Sequence, residues 1–113
     1  MLTVDSLKKW GADTDEALVR CLNNEAFYLR LVNKTLEDEQ SFSRLSEAVQ
    51  AGDMDKAFDA AHALKGVLSN LSLTPLLRPV LEITELLRNK TDTDYTPLLD
   101  EIAARKSELT AMR

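Results

Sequence analysis

The chain has 113 residues and a mass of 12.7 kDa, the size of a single domain. Its net charge is −5, Lys and Arg form no basic stripe, and only 5% of the residues are aromatic, which argues against nucleic-acid binding. The acidic balance and the lack of a long apolar run argue equally against membrane binding. A single cysteine, Cys21, excludes an internal disulfide, and we expect a cytoplasmic protein.

Helical periodicity runs throughout the chain, and no segment alternates with the two-residue period of a strand. Residues 4–10 predict a short helical turn. A second helix, capped by Asp13 or Thr14, is predicted to run to about Leu22. These short segments predict that residues 1–23 form a helical cap rather than part of a long bundle.

Two apolar helical stripes follow, over residues 25–36 and 42–51. No Pro or Gly separates them, so the sequence leaves open whether they form two helices or one bent helix. The acidic run 37–39 between them is either a solvated surface or the first turn of the second helix. Gly52 and Asp53 then predict the end of this region and the N-cap of the next helix.

The next helix is predicted over residues 53–71, where apolar side chains recur at spacings of three and four. These side chains are Met54, Ala57, Ala61, Leu64, Leu68 and Leu71. Thr74 and Pro75 predict the N-cap and first residue of a further helix, and Pro79 is expected to bend it. A polar loop over residues 89–94 precedes the last predicted helix.

Four amphipathic helices joined by short loops predict an all-α fold, an antiparallel up-down four-helix bundle. In this interpretation residues 24–112 form the bundle and residues 1–23 the short N-terminal helical cap. Residues 1–113 therefore make one domain, which we expect to be a monomer.

The only histidine, His62, lies in the middle of the central helix, in the run AHALKG of residues 61–66. It follows the stripe residue Ala61 by about 100°, so it is predicted to lie at the edge of the stripe and face solvent. Neutral imidazole accepts and returns groups near neutral pH. Lys65 can stabilise an anionic adduct one turn away. Gly66, which costs about 1 kcal/mol relative to Ala in a helix, leaves room for a large partner.

Five further side chains are candidate binding residues around His62: Phe42, Phe58, Asp59, Ser69 and Thr84. Helical spacing places three of them on the His62 face, one turn before it or two turns after it. The other two come from neighbouring helices when the chain folds back at its turns. Of these, Phe42 is predicted to form part of an apolar rim, and Thr84 to hydrogen-bond an imidazole nitrogen.

Other interpretations of these residues stay open. His62 can be an ordinary surface side chain of a structural helical bundle. Asp59 and His62 have the acidic-x-x-His spacing of di-iron bundles, but such sites need a second motif and more carboxylates, so no metal is expected. Gly66 has its own alternative, a close contact with a neighbouring helix.

The run 61–66, followed by Asn70 and Leu71, resembles the active helix of histidine-containing phosphotransfer (HPt) domains. That family has leucine, lysine and glycine two, three and four positions after its histidine. The turn at residues 51–53 and the layout of a short helical cap and four-helix bundle also resemble the family, over essentially the whole chain. Two positions depart from its pattern, because Ser72 stands where glycine is frequent and Thr84 where a glutamine sometimes contacts the histidine.

The resemblance implies that His62 accepts a phosphoryl group from a receiver domain's aspartyl phosphate and passes it to another receiver, with Lys65 and Gly66 in their family roles. It implies a phosphocarrier without ATP binding, autokinase activity or a cofactor of its own, the Mg²⁺ coming with the receiver. The implied partners are response-regulator receiver domains or a hybrid sensor kinase. The alternative is a non-catalytic adaptor bundle that docks receivers without using His62.

Overall fold

The structure, a computed structural model, describes residues 1–113 and contains seven α-helices and no strand. The helices are α1 (Val4–Trp10), α2 (Thr14–Arg20), α3 (Glu25–Glu37), α4 (Glu39–Gln50), α5 (Met54–Asn70), α6 (Thr74–Arg88) and α7 (Thr96–Ala111). The predicted all-α class is therefore confirmed. None of these helices combines the length and the apolar character that a membrane-spanning segment requires.

Short polar side chains set the beginning of most of the early helices. The side chains of Asp13, Asn24 and Asp53 each accept a hydrogen bond from a backbone N–H in the first turn of α2, α3 and α5. The segment predicted as a short turn is a full helix, α1, which starts with a capping box formed by Thr3 and Ser6. Local sequence therefore determines where these helices start.

The two stripes before residue 52 form two helices separated by one residue, Asp38. Asp38 has φ −82° and ψ 74°, outside the helical region, and its carboxylate accepts a hydrogen bond from the Ser41 hydroxyl at 2.7 Å. The chain therefore interrupts the helix at Asp38 without Pro or Gly.

The start of α6 lies one residue earlier than predicted. Thr74 was expected to be the N-cap, but it is the first helical residue and Leu73 precedes it as the cap. Pro75 lies in the first turn, where a missing N–H costs nothing. Pro79 is buried inside the helix, which nevertheless continues to Arg88.

Helix α5 lies at the centre of the domain, packed against α4 on one side and α6 on the other, while α6 also packs against α7. Its buried residues are Ala57, Ala61, Leu64 and Leu68, and Leu71 is buried directly after the helix, so five of the six predicted stripe residues lie in the core. The apolar stripe of α5 is thus confirmed as its core face. The up-down four-helix topology, and the division into a cap and a bundle at residue 23, stay predictions.

The C-terminal end of α5 is held by residues from α2 and α3. The Tyr28 hydroxyl donates a hydrogen bond to the Leu71 carbonyl at 2.8 Å, and the Arg20 guanidinium donates one to the Asn70 carbonyl at 3.1 Å. The last carbonyls of a helix have no partner within the helix itself. We call Arg20 and Tyr28 the α5 clamp, since both satisfy carbonyls at this end.

Ser72 lies in this turn with φ 51°, a left-handed conformation that favours glycine. Its hydroxyl accepts a hydrogen bond from Arg20 at 2.9 Å and donates one to the Glu16 carboxylate at 2.8 Å. Hydrogen bonds from Arg20 and then Ser72 lower the pKa of Glu16 below its usual value. A glycine here makes neither side-chain bond, so the serine offsets its backbone strain with polar contacts.

Tyr28 links this turn to a measurable pH dependence. Burial raises the pKa of the Tyr28 phenol to about 12, whereas an unfolded tyrosine titrates near 10. The folded chain holds this proton more tightly, so the corresponding stability is fully present below pH 10 and is lost as the pH rises from 10 to 12.

We expect Tyr28→Phe to lower the free energy of unfolding by about 1 kcal/mol at neutral pH, because the bond to Leu71 is lost.

Between pH 10 and 12 the free energy of unfolding of Tyr28→Phe is expected to fall less than that of the wild type. Urea unfolding at a series of alkaline pH values measures this difference. Tyr95→Phe is the comparison variant: burial raises the pKa of Tyr95 as well, but this variant leaves Tyr28 in place and should retain the part of the alkaline loss that Tyr28 contributes. Parallel pH profiles for the wild type and Tyr28→Phe would contradict the assignment.

Candidate functional site

The position of His62 follows from the packing of α5. Ala61 is fully buried in the core, and His62 comes next, rotated by about 100° around the helix axis. Its side chain is exposed, as the helical phase predicts. The only imidazole of the chain therefore stands on the outer surface of the central helix.

The imidazole has an aromatic neighbour but no hydrogen-bond partner within the chain. The ring of Phe58, one turn earlier on α5, lies with its centroid 5.6 Å from that of His62 and an angle of 21° between the planes. This is an offset-stacked pair. Neither ring nitrogen of His62 forms a hydrogen bond or an ion pair with another residue of the chain. Both nitrogens are thus available to an incoming group.

Arg88, near the end of α6, extends this pair to a third group. Its guanidinium carbon lies 5.2 Å from the centroid of the Phe58 ring, a cation–π contact. Its Nε lies 3.2 Å from a carboxylate oxygen of Glu85, one turn earlier on α6. We call Arg88, Phe58 and His62 the ring stack. Sequence reasoning missed Arg88, because no local pattern indicates which α6 side chain reaches Phe58.

Charged side chains flank His62 along α5. Asp59 is exposed one turn before it, and Lys65 is half-buried one turn after it. Neither takes part in any of the ion pairs of the chain. The Lys65 ammonium is therefore not neutralised by a fixed carboxylate. Ser69, the next candidate along the helix, is half-buried, and its carbonyl accepts a hydrogen bond from Arg20 at 3.3 Å.

Gly66 faces open space. A Cβ atom built at this position meets no heavy atom within 4 Å. The alternative in which Gly66 seats a neighbouring helix is therefore wrong. The surface directly beside His62 is free of side-chain atoms at this point of the helix.

Phe42 borders an apolar groove rather than His62 itself. It lies half-buried on α4 and lines a groove between α3, α4 and α5 together with Ala63 and Val67. Val67 is 44% exposed, a large hydrophobic side chain open to solvent. The groove includes Ala63, the residue after His62, but not His62 itself, so an apolar rim at the imidazole stays a prediction.

Thr84 does not support the imidazole as predicted. Its side chain is fully buried, and its hydroxyl donates a hydrogen bond to the Val80 carbonyl at 2.6 Å, one turn back on α6. The reason is the phase of α6, which buries Val80, Ile83 and Thr84 together. A buried hydroxyl that already donates to its own helix is not available to the exposed His62.

The surface around His62 is not a pocket. His62 lines none of the surface grooves of the domain. No group of three or more His, Cys, Asp and Glu side chains lies close enough together to hold a metal ion. The arrangement offers a nucleophilic nitrogen, a nearby ammonium and a cleared helix face to a large molecule that approaches from outside.

The open space at Gly66 gives a stability prediction. Gly66→Ala is expected to raise the free energy of unfolding by up to about 1 kcal/mol, because alanine favours the helix and its methyl group meets nothing. A thermal melt of the variant beside the wild type measures the change. Destabilisation by about 1–3 kcal/mol, the usual cost of overpacking, would mean that a neighbouring helix does contact this position.

Comparison with known proteins bears on the whole site. The model of a family described as "Hpt domain" matches residues 35–113, which include His62 and the central helix. Searches of the curated proteins and of the solved structures gave no match. The family match begins inside α3, so it leaves α1 and α2 outside. Because it spans well over half of the chain, the protein belongs to the Hpt domain family.

Proposed function

We propose that this protein is a histidine phosphotransfer protein, in which His62 carries a phosphoryl group from the aspartate of one receiver domain to that of another. Hpt domains are phosphocarriers of two-component signalling and interact with receiver domains and kinases. The observation that carries the proposal is the exposed imidazole of His62, whose two nitrogens have no partner within the chain.

The transfer is a displacement at phosphorus. A neutral imidazole attacks the phosphorus of the aspartyl phosphate through its unprotonated nitrogen, and an N–P bond forms. The P–O bond to the aspartate breaks, and the carboxylate leaves with the electron pair. In the second step a carboxylate of another receiver attacks the same phosphorus, and imidazole is released. Of the two nitrogens we assign Nε2 as the acceptor, because it lies farther from the backbone and projects farther into solvent.

Lys65 supplies positive charge to this transfer. It lies one helical turn from His62 and has no ion-pair partner in the chain. A positioned cation stabilises negative charge on the transferring phosphoryl group. Because no neighbouring carboxylate neutralises its charge, the Lys65 ammonium is free to interact with the phosphoryl group.

The partner supplies the rest of the active site. His62 lies in no groove, so water is excluded only when a receiver covers the helix face that Gly66 leaves clear. In this proposal the Mg²⁺ comes with the receiver, and the protein neither binds ATP nor phosphorylates itself. A monomeric, cytoplasmic carrier agrees with this function, and both properties stay predictions.

The first test concerns His62. Incubation with a phosphorylated receiver is expected to label the protein with phosphate that is labile in acid and stable in base, and the label should be absent from His62→Gln. The second function considered above, a non-catalytic adaptor, predicts receiver binding with no label on the wild type. Equal labelling of the wild type and of His62→Gln would refute the assignment of His62.

The second test concerns Lys65. Lys65→Ala is expected to slow phosphotransfer about ten- to a hundredfold, because one cation is removed beside the phosphoryl group. Its thermal melt should stay close to that of the wild type, since Lys65 has no ion-pair partner. Lys56→Ala is the matched control on the same helix, exposed and farther from His62. If both variants transfer at the wild-type rate, Lys65 is only a surface charge.

A further inference from the structure

The structure raises the question of what orients the His62 ring. A histidine side chain turns broadly about its second torsion unless a neighbour restrains it. No hydrogen bond within the chain restrains His62, and Thr84 donates to Val80 instead. The ring stacks on that of Phe58.

We propose that Phe58 is a positioning residue that fixes the plane of the His62 imidazole for phosphoryl transfer, with Arg88 holding Phe58 in place. The proposal rests on the proposed function and deepens it. It assigns to ring stacking the orienting role that a hydrogen bond to an imidazole nitrogen otherwise performs.

The geometry of the reaction explains why the ring plane matters. The lone pair of an imidazole nitrogen lies in the plane of the ring, so the tilt of the ring sets the direction of attack on phosphorus. In-line displacement requires the attacking and leaving atoms to be aligned. A stacking partner covers one face of the imidazole and leaves its edge, where both nitrogens lie, open. Phe58 can therefore restrain His62 without occupying a reacting atom.

The position of Phe58 suits this role. It precedes His62 by four residues on α5, a spacing at which helix side chains lie next to each other. Its ring is half-buried, so the core side restrains it, while the stacked imidazole is exposed. The centroid distance of 5.6 Å and the angle of 21° lie in the range of favourable offset pairs.

Arg88 completes the stack from the adjacent helix. Its guanidinium lies 5.2 Å from the Phe58 ring and is itself held by Glu85 at 3.2 Å. Because α5 and α6 pack together, this contact ties the rotamer of Phe58 to the second helix. The orientation of the imidazole is thus coupled to α6 through the Phe58 ring and Arg88, and not through a hydrogen bond from Thr84.

Proton NMR tests the stack without any phosphotransfer partner. His62 is the only histidine, so its ring C–H signals are unambiguous. In the wild type we expect nuclear Overhauser contacts between the rings of Phe58 and His62. Phe58→Leu should move the His62 ring signals downfield, because the shielding phenyl face is lost, while Phe58→Tyr should leave them nearly in place. The control Phe27→Leu removes an exposed ring of α3 that does not stack on His62, and it should not shift them.

Phosphorylation by phosphoramidate, a small donor that needs no receiver docking, tests the consequence for reactivity. Phe58→Leu is expected to lower the labelling rate about two- to tenfold, the range that an aromatic pair energy gives. Phe58→Tyr should retain the wild-type rate, and so should the control Phe27→Leu. Arg88→Gln should lower it by less than Phe58→Leu.

The outcomes separate this proposal from the proposed function. If the ring contacts are absent from the wild type, or if Phe58→Leu labels at the wild-type rate, Phe58 does not position the imidazole, whatever the receiver does. If the stack is present but phosphorylated receivers never label His62, the proposed phosphorelay function fails, while the NMR result and the phosphoramidate rates still decide the role of Phe58.

Discussion

The packing of the apolar face of α5 between α4 and α6 is the constraint on which the site depends. With Ala61 buried in that face, His62 is turned about 100° away from it around the helix axis, and its side chain is exposed. The same phase leaves Gly66 over open space and keeps Lys65 near the imidazole. The exposure of His62 on the central helix is thus a consequence of core packing, with no loop or hinge involved in presenting it.

The N-terminal helices are part of this arrangement, although the family match begins only at residue 35. The α5 clamp, Arg20 and Tyr28, comes from α2 and α3 and satisfies carbonyls at the end of α5. Ser72 then adopts a left-handed conformation with its hydroxyl bonded to Glu16 and Arg20. In a chain that lacks glycine at this turn, the preceding segment supplies the contacts that define where the central helix ends.

Much of the fold can be predicted from local sequence, because caps and apolar spacing act over a few residues. The cap at Asp53 and the stripe of α5 are examples. The break at Asp38 has no such signal, since neither Pro nor Gly stands there and the Asp38 side chain caps no backbone N–H. The burial of Thr84 and the contact of Arg88 with Phe58 depend on how α6 is rotated against α5. From the turn positions, the residues of neighbouring helices that lie opposite each other can be predicted only to within about one helical turn. The surroundings of His62 could therefore be predicted only in part.

A phosphocarrier has to release its phosphoryl group as readily as it accepts it, which limits how its histidine can be held. A hydrogen bond to one imidazole nitrogen changes the affinity of the other nitrogen for the phosphoryl group, because the two share one π-system. A stack on the ring face contacts neither nitrogen, and it can persist when the nitrogen is phosphorylated. Phe58 contacts the face of the His62 ring, and no residue of the chain bonds the nitrogens at its edge. In our proposal the stack therefore orients the ring without favouring either its free or its phosphorylated form. On the proposed function, the balance between acceptance and release then lies mainly with the receiver that covers the site.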